Sequence, residues 1–356
     1  MIRLDGATVL LQWATGGLAF LWITTRHRLV GLGYGWLLRL TFAIVAIGAV
    51  VASRFTEVVP VRDAASVGVA LAATFAFVVS FLRRKAGVRE QRLAAEKKKA
   101  RIQSMMAKTA GTEGSGAVSI PVGLQGSDAI AAALARAAGA KNAAKVARVV
   151  DPLEALENLE ALGGETATAT MEMRDQFGRL SAEVENEMVD GPEFPPVLDL
   201  IAPAIGFIGL VAAGWAGGGN HWLALARTLV GALFLGAVTD AMLLGHWYLV
   251  QPGLSRKPIG ELNTWLLRIW PLEVALLLVP TGMISVLNGT ISDSYGGMLG
   301  WFWVACALTT GILGFVTHLA LKERFYSAVM AATGFLYLAI LTAFGTDLVA
   351  RAILAA

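Results

Sequence analysis

Long apolar stretches recur along the chain, and each has about the length of a transmembrane helix. A helix rises about 1.5 Å per residue, so roughly 20 apolar residues cross a hydrocarbon core of about 30 Å. The pattern predicts about eight spans, at residues 7–25, 35–52, 65–82, 198–218, 222–250, 262–287, 298–321 and 327–349. They form a three-span membrane segment in 1–82 and a five-span segment in 194–356. We therefore expect an all-α polytopic membrane protein.

A polar insert of roughly 110 residues separates the third predicted span from the fourth. Residues 83–108 carry ten basic and two acidic side chains and predict a basic cytoplasmic helix that touches anionic lipid headgroups. Glycine, serine and proline in 109–126 indicate a flexible linker. Residues 127–193 predict an acidic, mostly helical block with few large apolar side chains. Because such a block cannot bury a sufficient core alone, we expect it to dock on other protein subunits.

Lysine and arginine are unevenly distributed between the predicted loops. Most basic loop residues fall on one side of the predicted bundle, in the loops with Arg26 and Arg28, with Arg256 and Lys257, with Lys322 and Arg324, and in the insert. The other side has Arg54 and Arg62 as its only loop arginines. Positive charge marks the cytoplasmic side of a membrane protein. The sequence therefore predicts an inner (cytoplasmic) membrane protein with both termini outside and residues 83–197 in the cytoplasm.

The composition agrees with a membrane protein and excludes several kinds of site. Apolar residues make up 56% and charged residues 15% of the 356 residues, whereas soluble domains carry about 25% charged residues. Because Cys306 is the one cysteine, the chain forms neither an intramolecular disulfide nor a cysteine cluster. Walker loops, His-Glu-x-x-His zinc motifs and nucleophile elbows are missing from the sequence. We expect a non-catalytic membrane subunit more than a stand-alone enzyme, and no nucleic-acid partner.

Two histidines lie near the predicted inner boundary on separate spans. His246 begins the string His-Trp-Tyr, and His318 lies at the end of the seventh span. One imidazole from each of two facing helices would supply the axial ligands of a b-type haem, and these two are the only metal ligands we expect. His246, Trp247 and Tyr248 could instead border a quinone, or form the aromatic belt of the inner interface. The hypothesis is a quinone or haem b site at these four residues.

Two carboxyl groups lie deep in the predicted spans. Asp240 is in the fifth span and Glu273 in the sixth, too far from either end for the charge to reach water freely. Such groups are protonated, paired or hydrated, and Arg268 is the predicted partner on the sixth span. The three residues predict a proton or ion pathway, with a structural hydrogen bond between helices as the alternative. The first three spans are predicted to be scaffold without deep charge.

Three functions remain open at this point. The favoured one is a membrane-embedded subunit of a larger assembly, an electron-transfer or energy-transducing complex with its quinone or haem site near the cytoplasmic face of spans five to seven. One alternative is a secondary transporter or channel that uses intramembrane carboxylates. The other is a structural or assembly protein without chemistry of its own.

Overall fold

The computed structural model describes residues 5–26, 29–83, 194–250, 254–279, 282–293, 295–323 and 326–355, which belong to one compact unit. The regular structure of these residues is entirely helical: α1 Gly6–Thr25, α2 Leu32–Ala52, α3 Pro60–Leu82, α4 Leu198–Ala216, α5 His221–Val250, α6 Lys257–Leu278, α7 Met283–Leu287, α8 Met298–Ala320 and α9 Tyr326–Ala355. Seven of these helices are long and apolar enough to cross a membrane. The predicted polytopic helical fold is confirmed. The insert predictions for 83–108, 109–126 and 127–193 lie outside the described residues, apart from Arg83.

The sixth predicted span, 262–287, differs from the helix that the chain forms. Helix α6 begins earlier, ends at Leu278 and is followed by the short α7. Proline disfavours the helical conformation in the residue before it, and Val279, before Pro280, is extended with φ −114° and ψ 156°. Pro271, in contrast, lies inside α6 without ending it.

The last helix is longer than predicted. Helix α9 continues past residue 349 to Ala355, so Asp347 and Arg351 are both helical. The two side chains are four residues apart, which places them on the same helix face.

Helices α1 and α5 form the centre of the bundle. A Cβ atom on Gly16 would lie 1.8 Å from the main-chain oxygen of Ala232, and one on Gly236 would lie 2.2 Å from the carbonyl carbon of Gly16. Only glycine permits such an approach, because any side chain would separate the two backbones. Helices α2 and α4 pack against α1, while α4, α6 and α9 pack against α5. Helix α3 then packs on α2 and α4, and α8 on α9.

A buried ion pair joins the two membrane segments where α3 ends and α4 begins, which we call the insert end; the other end is the distal end. Arg39 of α2 donates from Nε and Nη2 to the two carboxylate oxygens of Asp199 of α4, both at 2.6 Å. Its Nη1 donates to Ser80 of α3 at 2.6 Å, and Thr25 of α1 donates to Asp199 at 2.9 Å. Every nitrogen of this guanidinium is therefore bonded, although the side chain is only 1% exposed.

A second buried arginine lies at the distal end. Arg62 of α3 donates to the carboxylates of Asp5 and Asp63, to the Thr8 hydroxyl and to the main-chain oxygen of Glu57. Its side chain is 1% exposed. Full pairing allows this arginine to be buried at the end of a helix. Arg62 is the third residue of α3 and precedes the predicted third span, so the expectation that the first three spans carry no deep charge stays a prediction.

The distal loop before α8 is organised around one carboxylate. Asp293 accepts four backbone N–H bonds of 2.8–3.3 Å, from Tyr295, Gly297, Leu299 and Gly300. Gly296 and Gly297 have φ of +65° and +87°, a conformation that glycine adopts without strain. The turn thus directs these N–H groups to Asp293, and they hold the pKa of its carboxyl below the ordinary value.

We predict that this cap stabilises the protein in a pH-dependent way. A carboxyl group whose pKa is lower in the folded state than in the unfolded state stabilises the folded protein at pH values above its unfolded-state pKa, about 3.9. This stabilisation is lost as the pH falls through the folded-state pKa. Asp293→Asn should therefore lower the melting temperature in detergent at pH 7, and the difference from wild type should shrink below about pH 4. The control is Glu261→Gln, at a half-exposed pair with Arg26. A difference that stays constant with pH would contradict the prediction.

Candidate functional site

Four ionisable side chains meet between α5, α6 and α9 in the distal half of the bundle. They are Arg227, Glu273, Asp347 and Arg351, and we call them the distal charge cluster. Their relative exposures are 4%, 0%, 0% and 1%. Two basic and two acidic groups are thus held away from water, where a charge is costly unless it is paired.

The centre of the cluster is an ion pair within α9. Arg351 donates from Nε to both carboxylate oxygens of Asp347, at 2.9 and 2.8 Å. Its Nη2 has no hydrogen-bond partner among the described residues. Gly231 of α5 makes room for the pair, because a Cβ there would lie 3.0 Å from Nη2 and 3.1 Å from Asp347 Oδ1. The most buried cation of the cluster therefore keeps an unused donor.

Arg227 is hydrogen-bonded by main-chain oxygens at the end of α6 instead of by a carboxylate. Its Nε donates to the main-chain oxygen of Leu276 at 2.7 Å, and its Nη2 to that of Val279 at 3.0 Å. The oxygen of Leu276 would normally accept from the N–H four residues later, but that residue is Pro280, which has none. The proline thus frees the carbonyl that Arg227 uses.

Glu273 faces a second carboxyl group. Its carboxyl interacts electrostatically with that of Asp347 and with the guanidinium groups of Arg351 and Arg227. No donor of the described residues reaches either oxygen of Glu273.

A cavity of about 250 Å³ leads to this cluster from the distal end. Its walls are alanine and glycine of α4 and α5, and its polar lining includes Asp5, Thr8, Thr56, Glu57, Arg62, Thr228 and Arg351. Glu57 is exposed, whereas Arg351 is buried. The cavity therefore extends from the exposed Glu57 to Arg351, the residue whose guanidinium holds Asp347.

Asp240 lies apart from the distal charge cluster. Its side chain is fully buried in α5, and neither carboxyl oxygen has a hydrogen-bond partner among the described residues. Tyr34 of α2 is close by, with its hydroxyl 3.5 Å from the main-chain oxygen of Asp240. The two deep carboxyl groups of the predicted pathway therefore have different surroundings. Glu273 is near Asp347, whereas Asp240 is beside Tyr34.

Arg268 does not face Glu273. Its side chain is exposed on the bundle surface, with the guanidinium 5.8 Å from the centre of the Trp265 ring. At about 100° per residue, positions five apart point roughly 140° away from each other. Arg268 is therefore not the cation that stabilises Glu273.

The predicted cofactor residues are near the insert end. His246 is exposed, and its Nδ1 lies 2.9 Å from the Tyr337 hydroxyl of α9. Trp247 is half-buried, and the buried Tyr248 donates to the main-chain oxygen of Ser255. His318 of α8 is half-buried, and none of the described bonds or ring contacts joins it to His246. The haem or quinone site stays a prediction.

Sequence reasoning missed Asp347, although the predicted last span of 327–349 contains it, and Arg351, which lies two residues beyond the end of that span. An Asp-x-x-x-Arg spacing in an apolar segment is the signal that could have found the pair. In the described parts of the chain, no three His, Cys, Asp or Glu side chains are grouped as a metal site would need.

Comparison of the chain with protein-family models, with curated proteins and with solved structures gave no match. The case for a function therefore depends on the residues and their geometry.

We predict that the pairing of Arg351 is important for stability. Arg351→Gln leaves Asp347 buried without its cation and should lower the free energy of unfolding by about 3–5 kcal/mol, the usual effect of breaking a buried pair. The double variant Asp347→Asn/Arg351→Gln removes both charges of the pair, and its free energy of unfolding should fall clearly less than that of Arg351→Gln. The measurement is unfolding by SDS in mixed micelles.

The matched control for this experiment is Arg268→Gln, which removes an exposed cation from the same bundle. It should change the free energy of unfolding by no more than about 0.5 kcal/mol, as surface substitutions do. An equal loss in Arg268→Gln and Arg351→Gln would refute the assigned pairing.

Proposed function

We propose that the protein is a proton-coupled secondary transporter of a small solute, the second of the functions that the sequence left open. The observation that supports this proposal is the distal charge cluster at the inner end of a cavity that reaches the surface. Buried charge in a membrane protein is costly, and it marks substrate and ion pathways more often than it serves stability.

The proposed proton carriers are Glu273 and Asp347. Glu273 interacts electrostatically with Asp347, and Asp347 is held by Arg351, which also lines the cavity. A solute that engages Arg351 weakens its hold on Asp347, and the carboxyl pair then takes up a proton from the distal side. Release of the solute restores the ion pair and releases the proton. One proton therefore moves with each solute molecule.

Asp240 is the proposed second proton site. Along α5 it lies about 20 Å from Arg227 and about 15 Å from Val250 at the insert end, at about 1.5 Å per residue. A protonated carboxyl group carries no charge and can therefore be buried without an ion-pair partner. It can transfer its proton when water or a second carrier reaches it. Its position suits a relay between the distal charge cluster and the insert end.

The proposed orientation places the distal cavity outside the cell. Basic loop residues accumulate at the insert end, which the positive-inside rule assigns to the cytoplasm of a cell with an inner membrane. The solute would then enter from outside. On the cytoplasmic side, residues 83–108 would meet anionic lipid and residues 127–193 other protein subunits.

This proposal predicts solute-driven proton flux. In liposomes that hold the protein and an internal pH dye, at least one small solute added outside should acidify the lumen. We suggest a panel of a sugar, an amino acid, an organic cation and a dicarboxylate. Glu273→Gln and Asp240→Asn should reduce the rate to that of empty liposomes, because an amide cannot take up the proton.

The control for this assay is Glu261→Gln, which changes a half-exposed carboxylate at the insert end of α6. It should transport at the wild-type rate. The proposal fails if none of the four solutes moves protons, or if both amide variants retain the wild-type rate.

A further inference from the structure

The geometry points to a small zwitterionic amino acid as the ligand of the distal cavity, with its carboxylate on Arg351. This inference deepens the proposed transport function by naming the class of solute. It depends on the cavity and its charges, so binding can be tested without transport.

The first step of the argument is the unused donor of Arg351. A guanidinium has five N–H donors, and the described residues use only Nε, with Asp347 as acceptor. Nη2 has no partner, although the side chain is 1% exposed and lines the cavity. A buried donor without an acceptor is costly, and a carboxylate is the acceptor that a guanidinium binds best.

Arg62 shows that the unused donor is specific to Arg351. Both arginines line the cavity and both are 1% exposed. In Arg62, however, all three nitrogens donate to protein acceptors. The protein thus saturates one cation of the cavity and leaves the other with capacity for a ligand.

The second step concerns the carboxylates of the same cavity. Asp5 and Glu57 belong to its lining, and Glu57 is on the exposed side. They would repel a simple anion, just as the two arginines would repel a simple cation. A ligand with a carboxylate for Arg351 and an ammonium group facing Asp5 and Glu57 matches both signs.

The third step is size. The cavity has a volume of about 250 Å³. Small ligand sites usually begin near 300 Å³, so this cavity suits a molecule such as glycine or alanine. The hydroxyls of Thr8 and Thr228 and the alanine and glycine walls leave no large apolar pocket for a long side chain.

Binding to the full-length protein in detergent tests the inference, with isothermal titration calorimetry as the measurement. The probes are glycine, N-acetylglycine, which lacks the ammonium charge, and glycinamide, which lacks the carboxylate. Glycine should bind, and the two derivatives should bind at least about tenfold more weakly, the effect of losing one charged hydrogen bond. Equal binding of either derivative, or no binding of glycine, would overturn the inference.

Two kinds of variant locate the site. Asp347→Asn/Arg351→Gln removes the proposed partner of the ligand carboxylate without leaving Asp347 as a buried charge that has lost its cation, and it should abolish glycine binding. Ala213→Leu fills the cavity while every charge stays in place, and it should also abolish binding. Ala204→Leu is the matched control on the exposed face of α4 and should bind like wild type. Wild-type binding by Ala213→Leu would place the ligand elsewhere and refute the inference.

The outcomes separate this inference from the proposed function. Glycine binding without proton flux would support the site and refute transport. Proton flux driven only by the sugar, the organic cation or the dicarboxylate would support transport and refute the zwitterion site.

Discussion

A buried guanidinium must find its acceptors inside the protein, because lipid tails offer none. Arg39, Arg62, Arg227 and Arg351 each meet this requirement in a different way within the described residues. Arg39 binds α2 to α4 through Asp199, and Arg62 binds α3 to the start of α1. Arg227 binds α5 to the end of α6, while Arg351 is paired within α9. The contacts of Arg39, Arg62 and Arg227 join different helices, so moving one of these partner helices would leave a buried charge without its acceptors.

The degree of hydrogen-bond saturation distinguishes Arg351 from Arg39 and Arg62. Arg39 uses all three nitrogens on protein acceptors, and so does Arg62. Such a network gains nothing from a ligand and loses much if it opens. Arg351 instead leaves Nη2 without a partner beside a cavity. Strain or unused capacity of this kind is expected where a protein binds or reacts, because a stable scaffold would have removed it.

The sequence predicted the spans well because the bilayer sets their length and demands apolar side chains. The prediction of span ends failed where a single residue has more effect on the helix than the mean hydropathy of the segment. Pro280 ended the sixth span early, and Asp347 with Arg351 extended the last one, since their mutual charge pairing compensates for low hydropathy. The site was only half predictable for the same reason. Glu273 stood out as a deep carboxyl, but which charges surround it depends on tertiary packing that a helix pattern does not contain.

The break after α6 also decides how the distal charge cluster is balanced. In a continuous helix the oxygen of Leu276 would accept from the N–H of residue 280, and Arg227 would have Glu273 as its natural counter-ion. With proline at 280, Arg227 is satisfied by two main-chain oxygens. Glu273 has no hydrogen-bonded cation among the described residues, and its carboxyl interacts electrostatically with Asp347, Arg351 and Arg227. A carboxyl that is not fixed by an ion pair can gain and lose a proton, whereas a fully paired one cannot do so without breaking the bundle.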